Sequence, residues 1–211
     1  MRCHALLLDL DGVLADTEPI HMLAWNTVLS DIGAPSLREA WPLAVGTPAH
    51  EIARYVADVI SPGSSVDELL ERKRQVFRAL LPTVLQPFTG LPVELAKWKG
   101  FPVALATSGA RAEALLMLDI MGLRGVFDFV VAYEDVPRPK PAPDSYLRAA
   151  ELLDERAAEC AAVEDSPRGL QAAIAAGTIA CAVLPVSGSP LPDGAAQGFS
   201  STVEALSWLR E

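Results

Sequence analysis

The chain has 211 residues, 51% of them hydrophobic and 21% charged, a composition that buries a sizeable core and excludes a disordered or fibrous chain. Lys and Arg number 17 against 27 Asp and Glu, a formal net charge of −10, so the overall field repels nucleic acid and anionic membranes. A small molecule or a protein is the expected partner, and an anionic small molecule would need a bound metal ion or local cations to draw it in.

The first residues, MRCHALLLDLD, carry a basic residue and an apolar run, but carboxylates interrupt the run well short of a signal-peptide core. No charge-free apolar stretch approaches about 18 residues, so no membrane span is predicted and a cytoplasmic location is expected. Cys3, Cys160 and Cys181 sit in apolar neighbourhoods without metal-ligand spacing, which predicts buried, reduced thiols.

Strand-length apolar runs fall at Cys3–Leu8, Phe101–Ala106, Phe127–Ala132, Cys160–Val163 and Thr178–Leu184. Helix periodicity fills the segments between them, at Leu91–Lys99, Arg111–Met121, Asp144–Leu153 and Pro167–Ala176. This alternation predicts an α/β fold with a parallel sheet covered on both faces, because each parallel return needs a crossover helix. From Thr17 to Pro87 no strand-like run occurs and helical periodicity dominates, so 17–87 reads as an inserted helical module and 1–16 with 88–211 as the α/β domain. Pro82 and Pro87 are taken as its closing punctuation, and Pro185–Gly198 as a polar loop before a short helix at Val203–Leu209.

Chemistry concentrates at the strand ends. In LLLDLDGVLADTE a buried strand ends at Asp9, Asp11 follows two residues later, and Gly12 permits a sharp turn. Paired carboxylates at the carboxyl edge of a parallel sheet need a cation, a shared proton or solvent, and a hard divalent ion such as Mg²⁺ suits oxygen ligands. A solvated acidic turn is the plain alternative. A calcium loop of the EF-hand kind is excluded by the preceding strand and by Val13 at its fifth position.

Glu164 and Asp165 end another apolar run, where Ser166–Pro167 opens a helix. If the two strands are neighbours, Asp165 converges on Asp9. Thr107, Ser108 and Gly109 lie at the mouth of a further helix, either as a phosphate-sized anion cradle or as an ordinary N-cap. Lys140 stands between two prolines and is presented from a stiff loop.

These four motifs, in this order and spacing, resemble the haloacid dehalogenase superfamily. The likeness is to its branch with a helical cap inserted after the first motif, which includes β-phosphoglucomutase and phosphoglycolate phosphatase. The resemblance implies a Rossmann-like doubly wound core with a cap. It implies Asp9 as the nucleophile that forms an aspartyl-phosphate and Asp11 as the general acid and base. Thr107 would bind the phosphoryl group, Lys140 would neutralise nucleophile and phosphate, and Mg²⁺ would be held by Asp9, Asp11 through its carbonyl, Asp165 and Glu164.

Substrate contacts are implied at Ser108, Gly109 and Arg111 and, in the cap, at His21, Gly46 and Lys73. A solvated helix face is the plainer reading of the ERKRQ segment containing Lys73. Val45 and Ala49 stand where the mutase pattern carries Lys and Arg, and Gly109–Ala110–Arg111 replaces its Ser-Lys-Asn. The expected activity is therefore a Mg²⁺-dependent phosphatase for a small phosphomonoester such as a sugar phosphate. The alternatives are a phosphosugar mutase and a noncatalytic phosphometabolite-binding protein. A monomer is expected.

Overall fold

Ala5, Leu6, Leu7 and Leu8 form strand β1 with every side chain buried, as a run without polar alternation requires when both sheet faces are covered. The computed structural model describes residues 1–37, 48–184 and 190–211. From β1 the chain enters helices α1 (Glu18–Asp31), α2 (Ala49–Tyr55), continued by a π-helical turn at Val56–Ile60, and α3 (Val66–Val84). It then runs through α4 (Leu91–Ala96), β2 (Val103–Ala106), α5 (Arg111–Ile120), β3 (Phe129–Val131) and α6 (Asp144–Leu152). The last elements are β4 (Cys160–Glu164), α7 (Pro167–Ala175), β5 (Ile179–Val183), β6 (Gln197–Phe199) and α8 (Thr202–Arg210).

Among the described residues, six strands form one sheet in the order β3-β2-β1-β4-β5-β6, and every pair is parallel. The chain moves outward from β1 in one direction, then returns to begin β4 on the other side of β1. That reversal opens a crevice beyond the carboxyl ends of β1 and β4, the place where open α/β sheets bind ligands. Leu8 pairs with Leu105 and with Val163, so the residues following β1 emerge beside the ends of β2 and β4.

One sheet face is paved with small residues, among them Ala5, Ala104, Ala106 and Ala162, against which Tyr146, Ala149 and Ala150 of α6 and Ala172 and Ala173 of α7 pack. Alanine on both partners allows close helix approach and dense packing. Helix α7 starts with Ser166 as N-cap, its hydroxyl accepting from the Gly169 amide at 3.0 Å, and with Pro167 in the first turn. The Cys3, Cys160 and Cys181 thiols are free and buried; burial pushes them up to about 11, 12 and 12, which keeps them protonated and poorly nucleophilic.

The described residues divide into two units, Met1–Asp16 with Gln86–Glu211, and Thr17–Leu85. The second has its own apolar core, including Trp25, Val28 and Leu29 of α1, Ile52 and Ala53 of α2, and Leu69 of α3. In α3 the buried residues Leu69, Lys73, Phe77 and Leu81 follow one another at four-residue spacing, a single helical stripe.

Two local features differ from the sequence pattern. Pro82 does not end a helix but lies inside the last turn of α3, which continues to Val84; its ring occupies an exposed position where only one intrahelical bond is forfeited. The segment read as a loop through Gly198 contains β6, a three-residue edge strand with one buried side chain, too short to show periodicity.

The Thr202 hydroxyl at the start of α8 donates to the Val13 carbonyl at 2.7 Å, both residues being buried. This bond ties α8 to the turn that follows Asp9 and Asp11. Thr202→Val keeps the side-chain shape but orphans a buried carbonyl, and should lower the free energy of unfolding by about 1–3 kcal/mol. Urea denaturation checks this, with Thr202→Ser expected to retain most of the wild-type stability.

Candidate active site

Pairing of β1 with β4 carries the first acidic motif beside the second. The Asp9 amide donates to the Val163 carbonyl at 3.1 Å, which continues the ladder one residue beyond β1 and sets Asp9 next to Glu164. Carboxylate oxygens of Asp9, Glu164 and Asp165 lie within 4.8 Å of one another. Gly12 has a φ of +70°, and a Cβ built on it would fall 1.8 Å from the Asp165 Oδ2. The Asp165 carboxylate therefore sits directly over the Asp11–Gly12 turn, and only glycine admits it there.

Lys140 is the cation at the centre of this cluster. Its Nζ lies within hydrogen-bond distance of four acceptors, Asp9 Oδ1 at 2.9 Å, the Ala106 carbonyl at 2.9 Å, the Tyr146 hydroxyl at 3.1 Å and Glu164 Oε1 at 2.5 Å. The loop that presents it is pinned from behind by Arg168, whose guanidinium donates to the Lys140 carbonyl at 3.0 Å. Arg138, two residues earlier, is held by Asp144 at 2.9 and 3.1 Å.

Glu164 is fully buried and both its oxygens are engaged. Oε1 accepts from Lys140 and from the Tyr146 hydroxyl at 2.9 Å, while Oε2 accepts from the amides of Asp165 and Ser166 and the Ser166 hydroxyl, each at 3.1 Å. A Cβ on Gly169 would fall 1.7 Å from Glu164 Oε1, so the first turn of α7 is open only because this residue has no side chain.

The electrostatics follow from crowding carboxylates in a dry place. Burial first, and then Glu164, Asp11 and Asp165, hold Asp9 well above the usual carboxylate range, against the opposing pull of Lys140. Burial, Glu164 and Asp11 push Asp165 up to about 7. Burial alone would depress Lys140, but Asp9, Glu164 and Tyr146 outweigh it and raise the ammonium well above its ordinary value. Among the described residues, three carboxylates meet one ammonium, with hard oxygen donors on neighbouring strand ends. Such a donor set fits a divalent cation of the Mg²⁺ kind.

Thr107 is buried at the end of β2. Its amide donates to the Val131 carbonyl at 2.9 Å and its Oγ1 accepts from the Gly109 amide at 3.0 Å, which curls Thr107–Gly109 into a tight turn before α5. Ser108 on that turn is exposed. Arg111 points elsewhere than the substrate role expected of it. Its guanidinium donates to the Val130 carbonyl at 2.9 Å and pairs with Asp135, at the edge strand β3, two strands away from β1.

In the helical unit, Lys73 is buried rather than solvated. Its Nζ lies 2.8 Å from His21 Nδ1 and 4.3 Å from the centre of the Phe77 ring, on which His21 is stacked. Gly46 falls outside the described residues. Two contributors are not evident from the motifs. Tyr146 follows the Lys140 motif, yet nothing in KPAPDSY says where a buried hydroxyl finds its partner. Gly169 does carry a signal, because glycine in a helical first turn is unfavourable unless something approaches closely.

A sequence model described as haloacid dehalogenase-like hydrolase matches residues 3–177. Fructose-1-phosphate phosphatase YqaB of Escherichia coli K12 is 34% identical over 177 residues, covering 83% of this chain and 94% of the relative. The β-phosphoglucomutase of Bacillus subtilis 168 is 30% identical over 188 residues, covering 85% and 82%. Among solved structures, CbbY from Rhodobacter sphaeroides in complex with phosphate superposes with a TM-score of 0.86 at 27% identity, covering 96% of each chain. A strand order of this kind, its acidic strand ends and a match over most of its length make this chain a member of the haloacid dehalogenase-like hydrolase family.

Proposed function

We propose that the protein is a Mg²⁺-dependent phosphatase that hydrolyses a small phosphomonoester, a sugar phosphate, through an aspartyl-phosphate on Asp9. The observation that carries this reading is Asp9 itself, a buried carboxylate at the switch point of the sheet, held 2.9 Å from a buried ammonium and beside Asp165. Naming of relatives as a fructose-1-phosphate phosphatase and a β-phosphoglucomutase supports a phosphorylated carbohydrate as substrate.

Asp9, Asp165 and the Asp11 carbonyl would hold the cation. Glu164, with both oxygens occupied, serves it indirectly by anchoring Lys140. When bound, the ion supplies the positive charge that a carboxylate attacking an anionic phosphate requires. An Asp9 oxygen forms the new bond to phosphorus in line with the leaving oxygen, which takes a proton from Asp11. Asp11 then accepts a proton from the water that cleaves the aspartyl-phosphate and releases inorganic phosphate. Lys140 offsets charge on nucleophile and phosphoryl group, and the Thr107 hydroxyl and the Ser108 amide orient the phosphoryl oxygens. Choice of sugar is assigned in this proposal to His21 and Lys73 of the helical unit.

Hydrolysis is favoured over isomerisation because the cations that grip a second phosphate are replaced by Val45 and Ala49, and because the Arg111 guanidinium is already bound at β3. With β-glucose 1-phosphate, release of phosphate should exceed conversion to glucose 6-phosphate. A product ratio in favour of the 6-phosphate would overturn this choice.

Asp9→Asn should reduce turnover by roughly three orders of magnitude or more while leaving the circular dichroism spectrum unchanged. Retained turnover would remove Asp9 from the nucleophile's place. Chelation with EDTA should abolish phosphate release from wild-type protein and added Mg²⁺ should restore it, whereas activity indifferent to chelator would exclude the metal.

A further inference from the structure

We propose that Tyr146 is a positioning residue for Lys140, holding its ammonium between Asp9 and Glu164 through the phenolic hydroxyl. The inference rests on the phosphatase reading only for its kinetic consequence. Tyr146 is fully buried and belongs to the apolar face formed by Ala104, Ala106, Ala149 and Ala162, so packing alone is satisfied by a bare ring. The hydroxyl nevertheless reaches the cluster, accepting from Lys140 Nζ at 3.1 Å and donating to Glu164 Oε1 at 2.9 Å. The ammonium also lies 4.7 Å from the centre of the Tyr146 ring.

An ammonium has three N–H bonds, while four acceptors surround Lys140 Nζ: Asp9, the Ala106 carbonyl, Tyr146 and Glu164. Glu164 has the shortest contact, 2.5 Å, and is the acceptor best able to draw the ammonium away from Asp9. By donating to the same Oε1, Tyr146 satisfies part of that oxygen's demand, and by accepting from Nζ it holds the ammonium from the side. Phenylalanine would preserve the packed ring and leave Oε1 with no second donor, so Lys140 would shift toward Glu164 and its contact with Asp9 would loosen.

The test compares wild type with Tyr146→Phe by two independent measurements. The kcat for phosphomonoester hydrolysis should fall roughly tenfold, the size of one hydrogen bond to a charged group, with KM changed by less than about twofold because the Tyr146 hydroxyl is engaged by Lys140 and Glu164 and acts through the ammonium. The second measurement is the ¹⁵N-edited NMR signal of the Lys140 ammonium, identified by its loss in Lys140→Met. It should be visible in wild type and should move and exchange with solvent at least severalfold faster in Tyr146→Phe.

An unchanged kcat, a loss expressed in KM alone, or an ammonium signal that is absent in wild type or unaltered in the variant would each overturn the inference. Absence of any phosphomonoester hydrolysis by wild type would instead defeat the phosphatase reading, and the NMR comparison would still decide the role of Tyr146. Should Tyr146→Phe fail to fold, a ring-fluorinated tyrosine at position 146 keeps ring and hydroxyl while weakening the acceptor. The ammonium signal must then move, and a fixed signal counts against the proposal.

Discussion

A buried ammonium surrounded by carboxylates organises the chemical end of this protein. Lys140 touches both Asp9 and Glu164, and all three side chains are buried, so each group depends on the others being in place. Removing one partner from such a cluster leaves an uncompensated charge in a dry interior, which is far more damaging than losing a surface ion pair. The excess of carboxylate over ammonium is equally informative. Burial first, and the neighbouring carboxylates second, hold Asp9 and Asp165 above the ordinary carboxylate range, where additional positive charge would favour their ionised forms.

The scaffold makes that crowding feasible in three ways. Adjacent parallel strands bring Asp9 and Glu164 side by side, an arrangement imposed by backbone hydrogen bonds instead of by attraction between the side chains. Two glycines provide room where a single methyl group would collide, Gly12 under the Asp165 carboxylate and Gly169 beside that of Glu164. Finally, the Asp165 and Ser166 amides just ahead of α7 donate to Glu164, so part of its charge is offset by backbone dipoles. The site therefore draws on strand pairing, glycine placement and backbone dipoles at once.

The helical unit uses the same physics on a smaller scale. Its Lys73 occupies a core position of an amphipathic helix, and a buried ammonium is tolerated there because His21 offers a ring nitrogen and Phe77 offers an aromatic face. In ERKRQ the neighbouring Arg72 and Arg74 face solvent, as charge on a helix normally does. What separates Lys73 from them is its register, four residues after Leu69 and four before Phe77, a spacing written in the amino-acid order itself.

Much of the architecture is legible in residue order. Five strands and the α/β helices appear where apolar runs and helical periodicity predict them, because a strand buried on both faces cannot alternate and a crossover helix must be amphipathic. Residue types at the strand ends likewise mark Asp9, Asp11, Thr107, Glu164 and Asp165, since few roles suit polar groups at the edge of an apolar sheet, and flanking prolines mark Lys140. Edge strand β6 leaves no such mark, being three residues whose order comes from β5 and not from their own pattern. What tertiary structure alone decided is who faces whom. Sequence supplied the charges, but the meeting of Lys73 with His21, diversion of Arg111 to the Val130 carbonyl, and the meeting of the Tyr146 hydroxyl with Lys140 and Glu164 depend on contacts between segments distant along the chain. Periodicity reports which side of an element is apolar; it carries no information about the partner across the gap. That partner is selected by strand order and helix packing, and for this reason the kinds of chemistry are visible in the sequence while their geometry is not.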